Sequence, residues 1–466
     1  MPHSDLSYRP SANTRQEAAA ILRLAGPMIV AQVAQTGIAF VDTVMAGRLS
    51  AADLAAVSLG SSIWLTVFLS LSGVLMALAP MVSQVFGAGR HSEIGPLVRQ
   101  GLWLGLVLGL ITFWLVRNAM PVLVLSGATA DVAVKTDEFL LALSWGMPPL
   151  LMYRALYPFS SAVSKTRAIM VITLLSLLLA IPLNYIFIYG KLGLPQYGAA
   201  GCGWATAICC WFNFLAMLAY TARSGYFARF EVYRQWAWPQ WPLQSRMLRL
   251  GLPIGMSYLV EISAFTLVAL LLAKLGAIVV AAHQITLNFS AVVYMVPQTI
   301  SVALTVRVGQ AIGAGHEAGA AFTSKTGLQL ALGFACCTAL LIWLGAPYLA
   351  ALYSNDPTVV ALATTLLLYA AVYQLPDAAQ VCSAGALRGY KVTSLPMLIL
   401  ILAFWVVALP LGYTLGLHGL PWINGGAPDR IHYTIVNGVL AKGMPPWGRL
   451  LKPEEVDNVA AYVLSL

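Results

Sequence analysis

Charge is scarce in this sequence: 9% of its 466 residues are Asp, Glu, Lys or Arg, while 59% are hydrophobic. An ordinary soluble domain carries about 25% charged residues, so a water-solvated globule is excluded. Cysteine is scarce too. The six cysteines, Cys202, Cys209, Cys210, Cys336, Cys337 and Cys382, all fall in apolar segments, with no CxxC and no Cys/His cluster. That pattern excludes a disulfide framework and a zinc site and leaves small packing residues. There is no GxxxxGK[ST] loop, which excludes ATP drive through a P-loop. There is no CxxCH either, which excludes covalent haem attachment. With no hydrolase or kinase motif, the chain reads as a non-enzyme without a cofactor. Its opening stretch, MPHSDLSYRPSANTRQEAAA, is polar, and no cleavable signal peptide is expected.

What the sequence has in abundance is apolar length. A spanning helix needs about 20 mainly apolar residues. Eleven such runs stand out, at 25–47, 54–85, 101–116, 139–156, 169–189, 203–220, 250–272, 277–306, 327–350, 359–381 and 395–415. Together with a mean hydropathy of +0.80 they predict an all-α polytopic membrane protein. The formal net charge is +9, but its distribution speaks for membrane topology rather than nucleic acid. With the runs laid alternately across a bilayer, seventeen Lys and Arg residues fall on one side and five on the other, with four more in the C-terminal stretch. By the positive-inside rule the N-terminus is expected in the cytoplasm, with the chain in the cell inner membrane among its lipids.

The chain also repeats itself at an offset of 226 residues. LRLAGPM from Leu22 aligns with LRLGLPI from Leu248, and SQVFGAG from Ser83 with GQAIGAG from Gly309, without a gap between them. These matches pair Pro27 with Pro253, Gln84 with Gln310 and Gly87 with Gly313. An offset of six spans keeps the orientation in the membrane, so the repeat is parallel, as in some secondary transporters. The expected organisation is a cytoplasmic segment at 1–20, a lobe of six spans at 21–220, a linker at 221–247, a lobe of five spans at 248–418 and a short soluble tail at 419–466. The linker is basic, aromatic and Pro-containing, and reads as a cytoplasmic interfacial segment.

Three acids sit well inside apolar runs: Asp42 in IAFVDTVMAG, Glu261 in MSYLVEISAF and Asp377 in LYAAVYQLPDAAQV. An aspartate at the centre of a spanning helix costs about 2.5–3.5 kcal/mol on insertion scales, so such residues face a bundle interior or a wet cavity and mark ion sites or proton relays. The repeat pairs position 42 with Val268 and position 261 with Gln35. Each lobe therefore has its own acids, which points to function rather than architecture. Plainer readings stand beside this one. Asp42 is within reach of the membrane interface, and Glu261 is placed to hydrogen-bond a neighbouring helix. Asp377 follows Pro376, whose ring frees a backbone carbonyl one turn earlier; the plainer reading there is a proline kink with a capping acid, while a helix broken there would build a cation site. Polar neighbours complete the candidate set. They are Asn184 in IPLNYIFIYG, Thr206 in GCGWATA, Gln284 and Asn288 on one helix face in AAHQITLNFS, and Tyr373 one turn before Asp377. Each of these also suits plain interhelical bonding.

Several stretches together carry a family resemblance. They are FVDTVMAG in the first run, SKTRAIM after the fourth, IPLNYIFIYGKLG with GAAGCGWATA, GLPIGMSYLVE, AAHQITLNFS, RVGQAIGAG, and LPDAAQV with GALRGYKVTSLPM. Over about residues 15–418 the chain resembles the NorM-like branch of the multidrug and toxic compound extrusion (MATE) family. The resemblance implies two six-helix lobes in a V, alternating access, and export of small cationic drug-like compounds driven by inward Na⁺ or H⁺. Asp42 matches the first-lobe acid that takes the cation, with Asn184 and Thr206 as its polar neighbours. Glu261 and Asp377 match the second-lobe acids linked to coupling. A monomer is expected.

The resemblance lapses after residue 418. A copy of the 199–220 helix is due near 425–446, yet that stretch holds no run of about 20 apolar residues, so the last span is expected to be missing. The tail, with a short amphipathic helix expected at 453–465, resembles the end of a class I c-type cytochrome domain, where Met444 would match a haem ligand. A methionine without a histidine partner and CxxCH makes no haem site, and no haem is expected. Two competing readings follow: a membrane-anchored electron-transfer subunit, and a truncated, non-functional fusion of an exporter with a cytochrome fragment. A lipid-linked-precursor flippase would need a large basic cavity, and the runs hold almost no Lys or Arg at mid-span.

Overall fold

The computed structural model describes residues 13–125, 129–235, 237–417, 428–437 and 451–465. Among the described residues every regular element is helical. The first half holds α1 (Thr14–Leu49), α2 (Ala51–Leu75), α3 (Leu78–Gly87), α4 (Ile94–Arg117), α5 (Met120–Leu125), α6 (Ala130–Ser144), α7 (Met147–Ala162), α8 (Arg167–Tyr189) and α9 (Ala199–Arg223). After a short α10 (Gly225–Ala228) come α11 (Trp241–Leu272), α12 (Ala277–Gly313), α13 (Glu317–Ala351), α14 (Pro357–Gly389), α15 (Ser394–Leu400) and α16 (Leu409–Leu417). Two short helices close the chain, α17 (Pro428–Asn437) and α18 (Pro453–Ser465). Side-chain caps start several of them: Asn13 accepts from the Gln16 N–H at 3.0 Å, and Asp356 from the Thr358 N–H at 2.8 Å.

Among the described residues ten helices are long and apolar enough to cross a membrane, or eleven if α6 and α7, bent by 50°, form one span. That agrees with the eleven runs. The runs did not show two interruptions. The 54–85 run divides at Met76–Ala77 into α2 and α3, and the fourth run belongs to the bent pair α6–α7. In both places a proline, Pro80 or Pro148, lies in the first turn of the next helix, where its missing N–H breaks no helical bond. The opposite happens at Pro376: α14 runs through it unbroken, so the unwinding expected beside Asp377 is not there. One released carbonyl is the proline's local effect.

The 226-residue offset reappears in the helix ends, since the outer ends of α2–α3 at 51 and 87 map onto those of α12 at 277 and 313. The halves also exchange their first helices at one end of the bundle. Ile21, Leu24, Ala25 and Met28 of α1 pack with Ile300, Ala303 and Leu304 of α12. Nearer its C-terminus, Ile38 of α1 packs with Ala180 of α8 and Cys209 of α9. In the same manner α11 lies on α2: a Cβ on Gly251 would stand 2.1 Å from the Val74 carbonyl oxygen, and one on Gly255 2.5 Å from that of Ser70. Only residues without a side chain admit so close a backbone approach.

Among the described residues two acids outside the predicted trio are buried. Glu17, in the segment read as polar and cytoplasmic, has no exposed surface. Its carboxylate accepts from Arg307 Nη2 at 2.6 Å, Arg307 Nε at 3.1 Å and Thr323 Oγ1 at 2.8 Å, which ties α1 to α12 and α13. Asp53 accepts from Ser50 Oγ, from Lys135 Nζ at 3.2 Å and from the Ala199 N–H at 2.9 Å, joining α2, α6 and α9. Cys202, Cys209, Cys210 and Cys382 are buried as expected, but Cys336 and Cys337 are exposed. They lie on α13, a helix that turns most of its apolar surface outward.

Residues 402–466 form a separate compact unit. There α18 has the bounds expected from the sequence, and Val456 packs on Ile435 of α17. Among the described residues no helix after position 415 is long and apolar enough to span a membrane. Met444 lies outside the described residues.

Candidate functional site

The acids fall into two separate settings. Asp42, in the last third of α1, faces α8 and α9. Asn184 Nδ2 donates to its Oδ1 at 2.7 Å, and Thr206 Oγ1 donates to its Oδ2 at 3.2 Å. Asn184 is itself fixed: the same Nδ2 donates to the Ala180 carbonyl at 3.0 Å, and Oδ1 accepts from Cys202 Sγ at 3.3 Å. Asn184 and Cys202 are fully buried. The three residues singled out in the first half therefore form one hydrogen-bonded cluster. Cys202 joins it, a participant that an apolar segment with no metal-ligand spacing concealed.

Glu261 and Asp377 share a cavity of about 330 Å³ between α11, α12, α13 and α14. Asn288 and Tyr373 line it with them, as do Tyr294 and Gln374. Neither acid forms an ion pair or hydrogen bond with another described residue. Gln374, not singled out from the sequence, accepts from Thr338 Oγ1 at 2.9 Å through Oε1, while its Nε2 is buried without an acceptor. Apolar walls with a few converging polar groups characterise small-molecule sites. Gln284 touches Asn288 at 3.4 Å through its Nε2 but is not among the lining residues; it is exposed one turn away. Asp42 does not line this cavity, so the three acids do not converge on one point.

A smaller void of about 20 Å³ adjoins Glu261 and is lined by Tyr258, Tyr294, Gln298, Gln380 and Arg388. Tyr294 Oη donates to Gln298 Oε1 at 3.3 Å, and Gln298 Nε2 to Tyr258 Oη at 2.9 Å. The fourth apolar run sets Arg154 near a cytoplasmic end. Instead α7 continues to Ala162, which leaves Arg154 half-way along the helix.

The MatE family profile matches this chain twice, at residues 27–186 and 253–414, once in each copy of the repeat. A probable multidrug resistance protein NorM from Chromobacterium violaceum is 46% identical over 414 residues, covering 89% of this chain and 89% of its own. Multidrug resistance protein PmpM from Pseudomonas aeruginosa is 42% identical, over 86% of this chain and 85% of its own. Among solved structures, a monobody complex of the MATE transporter NorM-NG matches with a TM-score of 0.71 at 37% identity, over 84% of this chain and 86% of that one. The eukaryotic MATE transporter AtDTX14 shares the fold with a TM-score of 0.79 at 19% identity, over 87% of this chain and 90% of that one. With both halves matched and relatives this similar along most of its length, the chain belongs to the MatE family of multidrug and toxic compound extrusion transporters.

Proposed function

We propose that this chain is an antiporter that exports cationic amphipathic compounds by alternating access, driven by inward Na⁺ or H⁺. It works as a monomer in the cell inner membrane with its N-terminus in the cytoplasm. The observation that carries this reading is the pairing of Glu261 and Asp377 in one mostly apolar cavity. Two carboxylates in such surroundings are stable when a proton or a cation offsets their charge. The same walls accept the hydrophobic body of a drug, and the same acids attract its cationic group. Substrate and coupling ion then compete for one pair of carboxylates, which is the elementary requirement for exchange. Asp42, held by Asn184 and Thr206, supplies a second cation-responsive carboxylate in the other half. An ion shifts the balance between outward- and inward-facing states only by its differential affinity for the two. The names of the relatives, multidrug resistance proteins along most of their length, support a drug-like substrate.

The test is efflux of a cationic dye from cells stripped of their own exporters. The parent chain is expected to lower dye retention, and Asp42→Asn, Glu261→Gln and Asp377→Asn to return it to background. A parent chain that reaches the membrane and exports nothing would contradict the reading.

A further inference from the structure

The linker between α9 and α11 crosses one face of α4, and side chains of α4 hold it at two points. Arg99 Nη1 donates to the Glu231 and Val232 carbonyls at 2.8 and 3.0 Å. Farther along the linker, Trp103 Nε1 donates to the Ala237 carbonyl at 2.9 Å, and Gln100 Nε2 to that of Trp238 at 3.0 Å. Between the two points lies a groove of about 370 Å³, within the size range of small-molecule sites. Arg99, Leu102, Trp103 and Leu106 line it from α4, one stripe at helical spacing about 10.5 Å long. Tyr233 and Gln235 line it from the linker, and Met152 from α7.

The groove is charged at one end and apolar at the other. Arg99 lies in the second turn of α4. Leu102 and Leu106 carry the wall on into the span, and Met152 stands level with Gly105, its Cα 3.2 Å from a Cβ built on that glycine. On the topology proposed above, the Arg99 end faces the cytoplasm. Trp238 and Trp241, where the linker enters α11, are 71% and 72% exposed, the placement indoles take at a membrane interface. No acid pairs with Arg99 among the described residues. The Glu231 carboxylate is taken by Arg234 at 2.6 Å. The Arg99 Nε is buried without an acceptor, and its Nη2 has none among the described residues. Arg229, two residues before Glu231, has no acid either, and its guanidinium stands 4.2 Å from the centre of the Tyr226 ring. Surplus N–H donors around an unanswered positive charge select an anion.

We propose that this groove holds an anionic phospholipid of the cytoplasmic leaflet. Its phosphate sits against Arg99, and one acyl chain runs along Leu102, Leu106 and Met152. Free phosphate would answer the charge and leave the apolar walls empty. A neutral lipid would fill the walls and leave the charge unanswered. The leaflet itself supplies the ligand, since cytoplasmic surfaces carry anionic lipids that attract basic segments. A lipid seated there packs beneath the linker and helps to hold it on α4. The groove shares no lining residue with the cavity of Glu261 and Asp377. The inference therefore rests on the cytoplasmic placement of this end, not on the coupling chemistry.

The test uses the purified full chain in detergent and phosphatidylglycerol with a diazirine in one acyl chain. After illumination, mass spectrometry maps the labelled peptides. Label is expected on α4 and α7 around Leu102, Leu106 and Met152. Unlabelled phosphatidylglycerol should displace it at about a tenth of the concentration that phosphatidylcholine needs, and inorganic phosphate should not displace it. Arg99→Gln is expected to abolish the preference between the two lipids, and Arg99→Lys, which keeps the charge, to retain most of it. Because Arg99 also holds the linker, a second variant leaves its bonds in place. Leu106→Trp fills the apolar end and should cut the label on α7 about fivefold or more. Label no denser here than on the exposed face of α13 would overturn the proposal. So would equal displacement by the two lipids, a preference that survives Arg99→Gln, or full labelling of Leu106→Trp. Displacement by inorganic phosphate would give the site to the free ion and overturn it as well.

Discussion

Gly87 and Gly313 meet the opposite half of the chain in the same way. A Cβ built on Gly87 would lie 2.0 Å from the carbonyl oxygen of Gln310, and one on Gly313 would lie 1.9 Å from that of Gln84. The glutamines reach across as well. Gln84 Nε2 donates to the Gly389 carbonyl and Gln310 Nε2 to that of Ala162, both at 2.8 Å. The repeat seen in the sequence is thus a near-symmetric junction, with each half supplying one glycine and one amide.

A methyl group at either glycine must push the backbones apart. Gly87→Ala and Gly313→Ala are each expected to destabilise by about 1–3 kcal/mol, read as earlier melting in detergent. Gly333→Ala on α13, where nothing stands within 4 Å of the added carbon, should be neutral or slightly stabilising. Indistinguishable melting of all three would contradict this account of the junction.

The Glu17–Arg307 pair makes a second prediction about the same end of the bundle. Removing one member of a buried ion pair costs about 3–5 kcal/mol, because the other charge is left behind. Glu17→Gln and Arg307→Gln should each melt early. The exchanged pair, Glu17→Arg with Arg307→Glu, should recover part of the loss. A double variant as unstable as the sum of its singles would show that the two side chains do not act on each other.

Asn184 and Gln284 look alike in the sequence, each an amide in an apolar run, yet only one is built into a site. Asn184→Leu removes a donor to Asp42 and should lower dye efflux about tenfold or more. Gln284→Ala, outside the cavity, should leave efflux within about twofold. Equal effects would mean that the cluster around Asp42 has no special part in transport.

What was legible in the sequence follows from where contrast is strong. Asp42, Glu261 and Asp377 stand out because nothing around them is charged, and apolar length alone marks the spans. Glu17 did not stand out. Its neighbours in NTRQEAAA are polar, and only the packing of α1 into the second half turns it inward. Arg154 in LLMYRALYPF was hidden by a helix end placed too early, since hydropathy falls off before α7 does. The breaks before α3 and α7 lie in unbroken apolar sequence, and Pro80 and Pro148 were their available signals. The continuity of α14 through Pro376 is decided by packing on α12 and α13, which no local pattern reveals.

The central claim, that Glu261 and Asp377 exchange a coupling cation for the substrate, is tested most directly in proteoliposomes loaded with a cationic dye. Its outward gradient should drive Na⁺ or H⁺ inward, followed with radioactive sodium and an internal pH indicator. The account predicts cation uptake that depends on the dye gradient and disappears in Glu261→Gln and Asp377→Asn. Dye leaving the vesicles without any cation entering, or uptake that survives both substitutions, would contradict it.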